Sequence, residues 1–345
     1  MTTSGRPGLY ADYSHALWRR VLFTRQMAII GLFVLVVIVA SAIVPHFANT
    51  MTVYYLCQNM LPNMMIALPM ALIMITADID VSVGSMVSLS CSVLGLLYSS
   101  GVPFELSMLL ALLVGALGGF LNGWLVTRVD LPALAVTIGT MAMFSGVAVG
   151  LLGTNTITSF PPAWTNMAQW ELGHSGIPFT MLIFVVLLAV FVYVLHFTSF
   201  GRGVFAIGLN KQAATFSGVK VARTRMILFV LTGTVSALGG IYWTLLYSTA
   251  RGDMGTGLEL QVIAAVVLGG VSVFGGRGAL HGVVAGVLLI AVLSSALQLL
   301  SVTAEVINII TGVLLVGSVV IASFSAWLRD RRPRAVVVAA AESAP

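Results

Sequence analysis

Charge is what this chain of 345 residues has least of: Asp, Glu, Lys and Arg together make up 8% of it. A soluble domain carries about 25%, so a water-facing globular fold is excluded. Cysteine is scarce as well. Cys57 and Cys91 are the two present, both within apolar stretches, which fits inert core thiols and argues against a disulfide or a thiolate metal site. The histidines, His15, His46, His174, His196 and His281, are scattered without metal-ligand spacing. No Gly-x-x-x-x-Gly-Lys-Ser/Thr loop occurs, so the chain carries no phosphate cradle for ATP. No Ser/His/Asp arrangement is evident, which leaves a membrane enzyme without a catalytic cluster. The centres of the apolar stretches are nearly free of ionisable residues, where proton- and sodium-driven transporters usually place theirs.

What is present is apolar. The chain is 59% hydrophobic with a mean hydropathy of +1.06, and the excess comes in blocks near twenty residues long. This pattern predicts an all-α integral membrane protein. Ten spans are expected, at 27–44, 52–77, 81–100, 104–127, 132–152, 178–197, 226–248, 258–274, 279–300 and 304–324. They form one transmembrane domain, 27–324, between polar tails at 1–26 and 325–345. The first span has a cleavage-like Ala40-Ser41-Ala42, but its run exceeds a usual signal-peptide core, so a retained helix is expected. Pro62 and Pro69 interrupt the second span, where they free carbonyls and favour a kink. The loop 153–177 carries Trp164 and Trp170, suited to the lipid interface or to a partner. Gly115, Gly119 and Gly123, then Gly282 and Gly286, recur at four-residue spacing and let helix backbones approach closely.

Ten spans put both termini on one side, and charge tests that count. With the tails inside, fifteen of the sixteen basic residues fall on inner segments and only Arg251 lies outside. Glu105, Glu171, Asp253 and Glu305 lean the other way. Such an asymmetry supports cytoplasmic termini, and the net charge of +5 reads as topology, with no nucleic acid implied. Val81-Ser82-Val83-Gly84 and Val271-Ser272-Val273-Phe274-Gly275 sit at corresponding inner hairpins, a weak echo of two parallel halves.

The longest polar, basic interval between spans lies within 198–225. It holds Arg202, Lys211, Lys220, Arg223 and Arg225 and no acid. Asn210 to Phe216 reads as a short helix, with Asn210 as N-cap and Gly218 as its stop. A short helix between long apolar segments suits contact with something outside the membrane. Elsewhere, neutral polar residues stand within the spans: Asn59, Asn63, Asn122, Thr137, Thr140, Trp243, Tyr247, Gln298 and Asn308. They serve either as hydrogen bonds between helices or as a wet path for a hydroxyl-rich solute, with Trp243 stacking on a sugar face. Asp80, Ser82 and Gly84 form either a helix cap or a fixed point of a gate. Gly275, Gly276 and Arg277 make a tight inner turn.

Several of these stretches resemble a known family. Asp80-Val-Ser-Val-Gly-Ser85, Thr137-Ile-Gly-Thr-Met141, Gly201-Arg-Gly-Val-Phe-Ala-Ile-Gly-Leu-Asn210 with Ala213-Ala214 and Ser217-Gly218, and Val266-Val-Leu-Gly-Gly-Val-Ser-Val-Phe-Gly-Gly-Arg-Gly278 are similar to the permease subunits of monosaccharide ABC importers. The ribose, rhamnose and autoinducer-2 branch is nearest, and the likeness runs over about 51–323. It implies a multi-pass protein of the bacterial inner membrane and a second permease, identical or paralogous. A cytoplasmic ATP-binding subunit would hold ATP and Mg, a periplasmic sugar-binding protein would deliver cargo, and this chain would bind no cofactor or metal. By position, Asn210, Lys211, Gln212, Ala213, Ala214, Ser217 and Gly218 would form the helix that docks on the ATPase. One departure is Asp78, where the family more often has Gly. The alternative from the residues themselves is a secondary transporter of a small neutral solute.

Overall fold

The computed structural model describes residues 25–173 and 176–330; most of the expected tails at 1–26 and 325–345 lies outside the described residues. Thirteen helices and one strand pair follow in order. They are α1 (Arg25–Ile43), α2 (Thr50–Ile75), α3 (Val83–Ser99), α4 (Phe104–Thr127) and α5 (Ala133–Leu152). Then come β1 (Ile157–Thr158), α6 (Pro162–Gln169), α7 (Met181–Phe197), α8 (Ser199–Leu209), α9 (Lys211–Phe216) and α10 (Val221–Tyr247). The series closes with β2 (Thr249–Ala250), α11 (Leu258–Leu268), α12 (Leu280–Leu299) and α13 (Ala304–Asp330).

Every one of the ten expected spans contains an apolar helix, but their lengths differ. Five are long and apolar enough to cross a membrane: α2, α4, α5, α10 and α12. A sixth arises if α7 and α8 are taken together, although the chain bends by 70° between them. α1, α3, α11 and the apolar part of α13 are shorter. The expected span 258–274 is cut back most. α11 stops at Leu268 because Gly270 adopts a φ of +89°, a conformation that ends a helix at little steric cost to glycine.

α2 is the centre of the assembly. From Met64 to Ile75 every residue is buried, as expected for a helix apolar all round. Asn49 starts it by accepting a hydrogen bond from Met51 N at 3.2 Å. Proline at position 62 cannot donate to the carbonyl of Gln58 four residues back. The Tyr242 hydroxyl from α10 donates to that carbonyl instead, at 3.2 Å. Pro62 is thus tolerated within one continuous helix, because a neighbour re-satisfies the freed acceptor.

α10 packs against α4 along the small residues. A Cβ on Gly233 would stand 2.3 Å from the Gly115 carbonyl oxygen, and one on Gly119 would stand 2.3 Å from that of Phe229. On the other side, a Cβ on Gly286 of α12 would meet the Ala265 carbonyl of α11 at 2.2 Å. These are the close approaches expected of four-residue spacing.

The segment 153–177 is more structured than a loop. β1 pairs antiparallel with β2, Ile157 opposite Ala250 and Thr158 opposite Thr249. Trp164 packs on Phe104 beside Phe160 and Tyr98, and its Nε1 donates to Glu105 Oε1 at 3.1 Å. Trp164 is therefore committed to internal packing, while Trp170 remains exposed.

After β2 the chain turns along α3. Gly95 of α3 lies against Ala250, and Gly84 lies against Gly255. Those glycines are eleven helical residues apart, about 16 Å of rise. α11 therefore starts well below the level of the strands, and it is a half-length helix.

Gly233→Ala should lower stability by about 1–3 kcal/mol through overpacking, measured by denaturant unfolding in detergent. Gly139→Ala, with nothing within 4 Å of its added carbon, should be neutral or slightly stabilising.

Candidate functional site

The N-terminal half of α2 carries Thr52, Tyr55, Asn59 and Asn63 down one side, at near-helical spacing. α11 brings Gln261, α12 brings Ser294, Ser295 and Gln298, and α13 brings Asn308. Together they line a cavity of about 390 Å³ with no charged side chain in its wall. Asn63 Nδ2 donates to Gln261 Oε1 at 3.0 Å, which leaves Asn63 Oδ1 without a hydrogen-bond partner. An acceptor left open beside amides and hydroxyls suits donation from a bound hydroxyl.

A second, more open cavity of about 470 Å³ is lined by Trp243, Tyr247, Thr249, Arg251, Asp253 and Met254. Trp243 Nε1 has no partner either. The Tyr247 hydroxyl donates to Asn59 Oδ1 at 2.7 Å. Since Asn59 lines the first cavity and Tyr247 the second, this bond joins their walls.

Of the nine polar residues singled out by sequence, Asn59, Asn63, Gln298 and Asn308 thus converge on one cavity, and Trp243 and Tyr247 on its neighbour. Asn122, Thr137 and Thr140 come to neither. Asn122 Nδ2 donates to Ser82 Oγ at 2.8 Å, Thr137 Oγ1 to Ile79 O at 3.1 Å, and Thr140 Oγ1 back to Val136 O at 3.1 Å. Asn122 and Thr137 brace the turn between α2 and α3, while Thr140 bonds within its own helix. Gln261, Ser294 and Ser295 were not singled out. Their signal was the same one, a neutral polar side chain within an apolar run.

That turn holds Asp80, whose Oδ1 accepts from Ser82 N at 3.0 Å and Ser82 Oγ at 2.6 Å. The side chain closes the turn that leads into α3, and it is buried. Gly84, one turn on, leaves no room for a Cβ against Glu259 and Gly255.

Asp78 is the larger surprise. It is 4% exposed and Arg225, in the first turns of α10, is 8% exposed. Arg225 Nε donates to Asp78 Oδ2 at 2.6 Å and its Nη2 to Oδ1 at 2.7 Å, a bidentate pair. Lys211 Nζ stands 3.6 Å from the same Oδ1.

Lys211 opens α9. The expected coupling loop 198–225 in fact holds α8 and α9, joined at Asn210, and the start of α10. Asn210 Oδ1 accepts from Ala213 N at 2.9 Å, and Gly218 follows at a φ of +84°, the cap and stop expected. Ala214 alone of α9 is buried; Lys211, Gln212, Ala213 and Ser217 are exposed. Leu209, Phe216 and Phe274 are 71%, 91% and 76% exposed. Leu209 also borders the turn at Gly276, so basic and apolar groups share one surface. That turn is tight: Gly275 and Gly276 take φ of +83° and +72°, Ser272 N donates to Arg277 O at 2.9 Å, and Gly276 N donates to Ile75 O at 2.9 Å.

A family model described as the permease component of branched-chain amino acid transport systems matches residues 51–319. The chain belongs to that permease family. Among curated relatives, the autoinducer 2 import system permease protein LsrD of Escherichia coli K12 is 34% identical over 307 residues, 87% of this chain and 92% of the relative. The proteins of the same name from Escherichia coli O157:H7 and Shigella flexneri match to the same extent. No solved structure matches the chain. The permease is thus a transport subunit of an ATP-driven importer and a multi-pass protein of the inner membrane. This replaces the ion-driven alternative. Its family works with ATPase and substrate-binding partners in general.

Asp78→Asn would leave the Arg225 guanidinium buried without its counter-charge, at a cost of about 3–5 kcal/mol. Arg251→Ala breaks a pair whose members are both 54% exposed and should cost under about 1 kcal/mol. Unfolding of the two purified variants in detergent checks the contrast.

Proposed function

We propose that the permease passes a neutral, hydroxyl-rich solute of monosaccharide class through the amide-lined cavity between α2, α11, α12 and α13. The observation that carries this is the composition of the wall. Asn59, Asn63, Gln261, Ser294, Ser295, Gln298 and Asn308 offer both donors and acceptors and no net charge. The volume, about 390 Å³, lies within the range of small-molecule sites, about 300–1,000 Å³. Autoinducer 2, which the relatives' names give as their cargo, is the first compound to test, with ribose second.

In this reading the chain crosses the membrane ten times with both termini in the cytoplasm, and two permeases, identical or paralogous, stand side by side. A periplasmic sugar-binding protein delivers cargo at the Trp243–Tyr247 mouth. The ATP-binding subunit docks on α9 and on the exposed Leu209, Phe216 and Phe274. Apolar side chains so exposed, rimmed by Lys211, Lys220 and Arg223, fit a protein contact. ATP and Mg belong to that partner.

Asn63→Ala combined with Gln261→Ala should cut uptake by about tenfold or more while the ATPase still co-purifies. Phe216→Asp should remove the ATPase from the purified complex. Undiminished uptake in the first variant refutes the cavity as the path, and full ATPase retention in the second refutes the docking surface.

A further inference from the structure

The inner end of α2 is tied to the proposed docking segment more tightly than the chain's connectivity requires. α2 ends at Ile75, and three residues on Asp78 is gripped by Arg225 of α10 through two hydrogen bonds. The same carboxylate faces Lys211, the first residue of α9. Backbone contacts reinforce the site. A Cβ on Gly208, at the end of α8, would stand 1.8 Å from the Ile75 carbonyl oxygen, and Gly276 N bonds to that oxygen at 2.9 Å. α8 cannot shift far without moving the end of α2, whereas α9 reaches it only through Lys211.

The two ionic contacts differ in kind. Asp78–Arg225 is buried on both sides, so separating it would leave uncompensated charge away from water. Lys211 is 46% exposed against a carboxylate that is 4% exposed; such a contact is weak and readily made or broken. One carboxylate therefore has a permanent holder and a releasable one. From Asp78, α2 runs back through its wholly buried half to Asn63. The distance from Ile75 to Asn63 is twelve helical residues, about 18 Å.

We propose that Asp78 is the joint through which motion of α9 reaches α2 and the cavity. Arg225 holds the carboxylate to α10. Lys211 engages or leaves it as the ATPase moves α9, and α2 carries the displacement outward. This rests on α9 being the docking helix. It adds a positioning residue that the family resemblance does not supply, since glycine is the commoner residue at that place.

The test uses the assembled importer in liposomes, with Cys57→Ser and Cys91→Ser as background. One preparation carries a fluorophore on Ser294→Cys at the cavity, another on Gln212→Cys in α9. Adding ATP and Mg should change the emission of both. In Asp78→Asn with Arg225→Met, which removes both charges together, the Gln212 signal should persist and the Ser294 response should shrink about tenfold, within the range by which mutations along a coupling route act. Asp78→Glu keeps the charge one methylene further out; it should lower the Ser294 response about threefold and decides the matter if the neutral pair does not fold. An undiminished Ser294 response in these variants overturns the joint. Loss of the Gln212 signal together with ATPase co-purification also overturns it, since the pair would then serve assembly alone. If the parent protein shows no Gln212 response at all, the docking reading itself falls, and the joint with it.

Discussion

The structure depends on removing one face-less helix from both water and lipid. Between Met64 and Ile75, α2 exposes no side chain, so each of its polar obligations has to be met by a neighbour. Tyr242 meets one by capping the carbonyl that Pro62 leaves free. At the other end Gly276 N donates to Ile75 O and Thr76 Oγ1 to Ile73 O. A helix so enclosed is a stiff element with two accessible ends. One end borders the amide-lined cavity proposed as the solute path, and the other borders the surface where the partner ATPase is proposed to sit.

Charge is divided along that axis. The cavity wall is neutral, which suits a solute whose hydroxyls both donate and accept, and which avoids holding an ion in a low-dielectric site. Among the described residues, the buried charged side chains are Asp78, Asp80 and Arg225. All three are brought to the C-terminal end of α2, where they fix turns and helix ends. Full charge is used where geometry must be held. Amides line the cavity proposed as the passage.

Much of this was legible in the sequence. Hydropathy located an apolar helix at each expected place because burial in lipid demands long apolar runs. Asn210 and Gly218 were readable because cap and stop are local chemistry. The amides of the cavity were readable as neutral polar residues in apolar surroundings, but not which of them converge. Asn59 and Asn122 carry the same signal, yet one lines the cavity and the other braces a turn, and only helix rotation and depth separate them. The helix α8 was hidden because its glycines, Gly201, Gly203 and Gly208, lower helix propensity. Close backbone contacts with Leu195 and Ile75 account for two of them. The Asp78–Arg225 pair joins residues 147 apart in sequence, and no local pattern announces such a contact. Its one trace was an acid where the family more often has glycine.

The glycine seam between α4 and α10 has a mechanical corollary. Backbones in direct contact at Gly115, Gly119 and Gly233 leave no side-chain layer to shear, so these two helices are effectively welded. The opposite flank, where α11 spans only part of the depth and a void lies between α2, α12 and α13, has slack. Any rearrangement within the subunit therefore falls more easily on that flank than across the seam, and the two seam helices travel as one body.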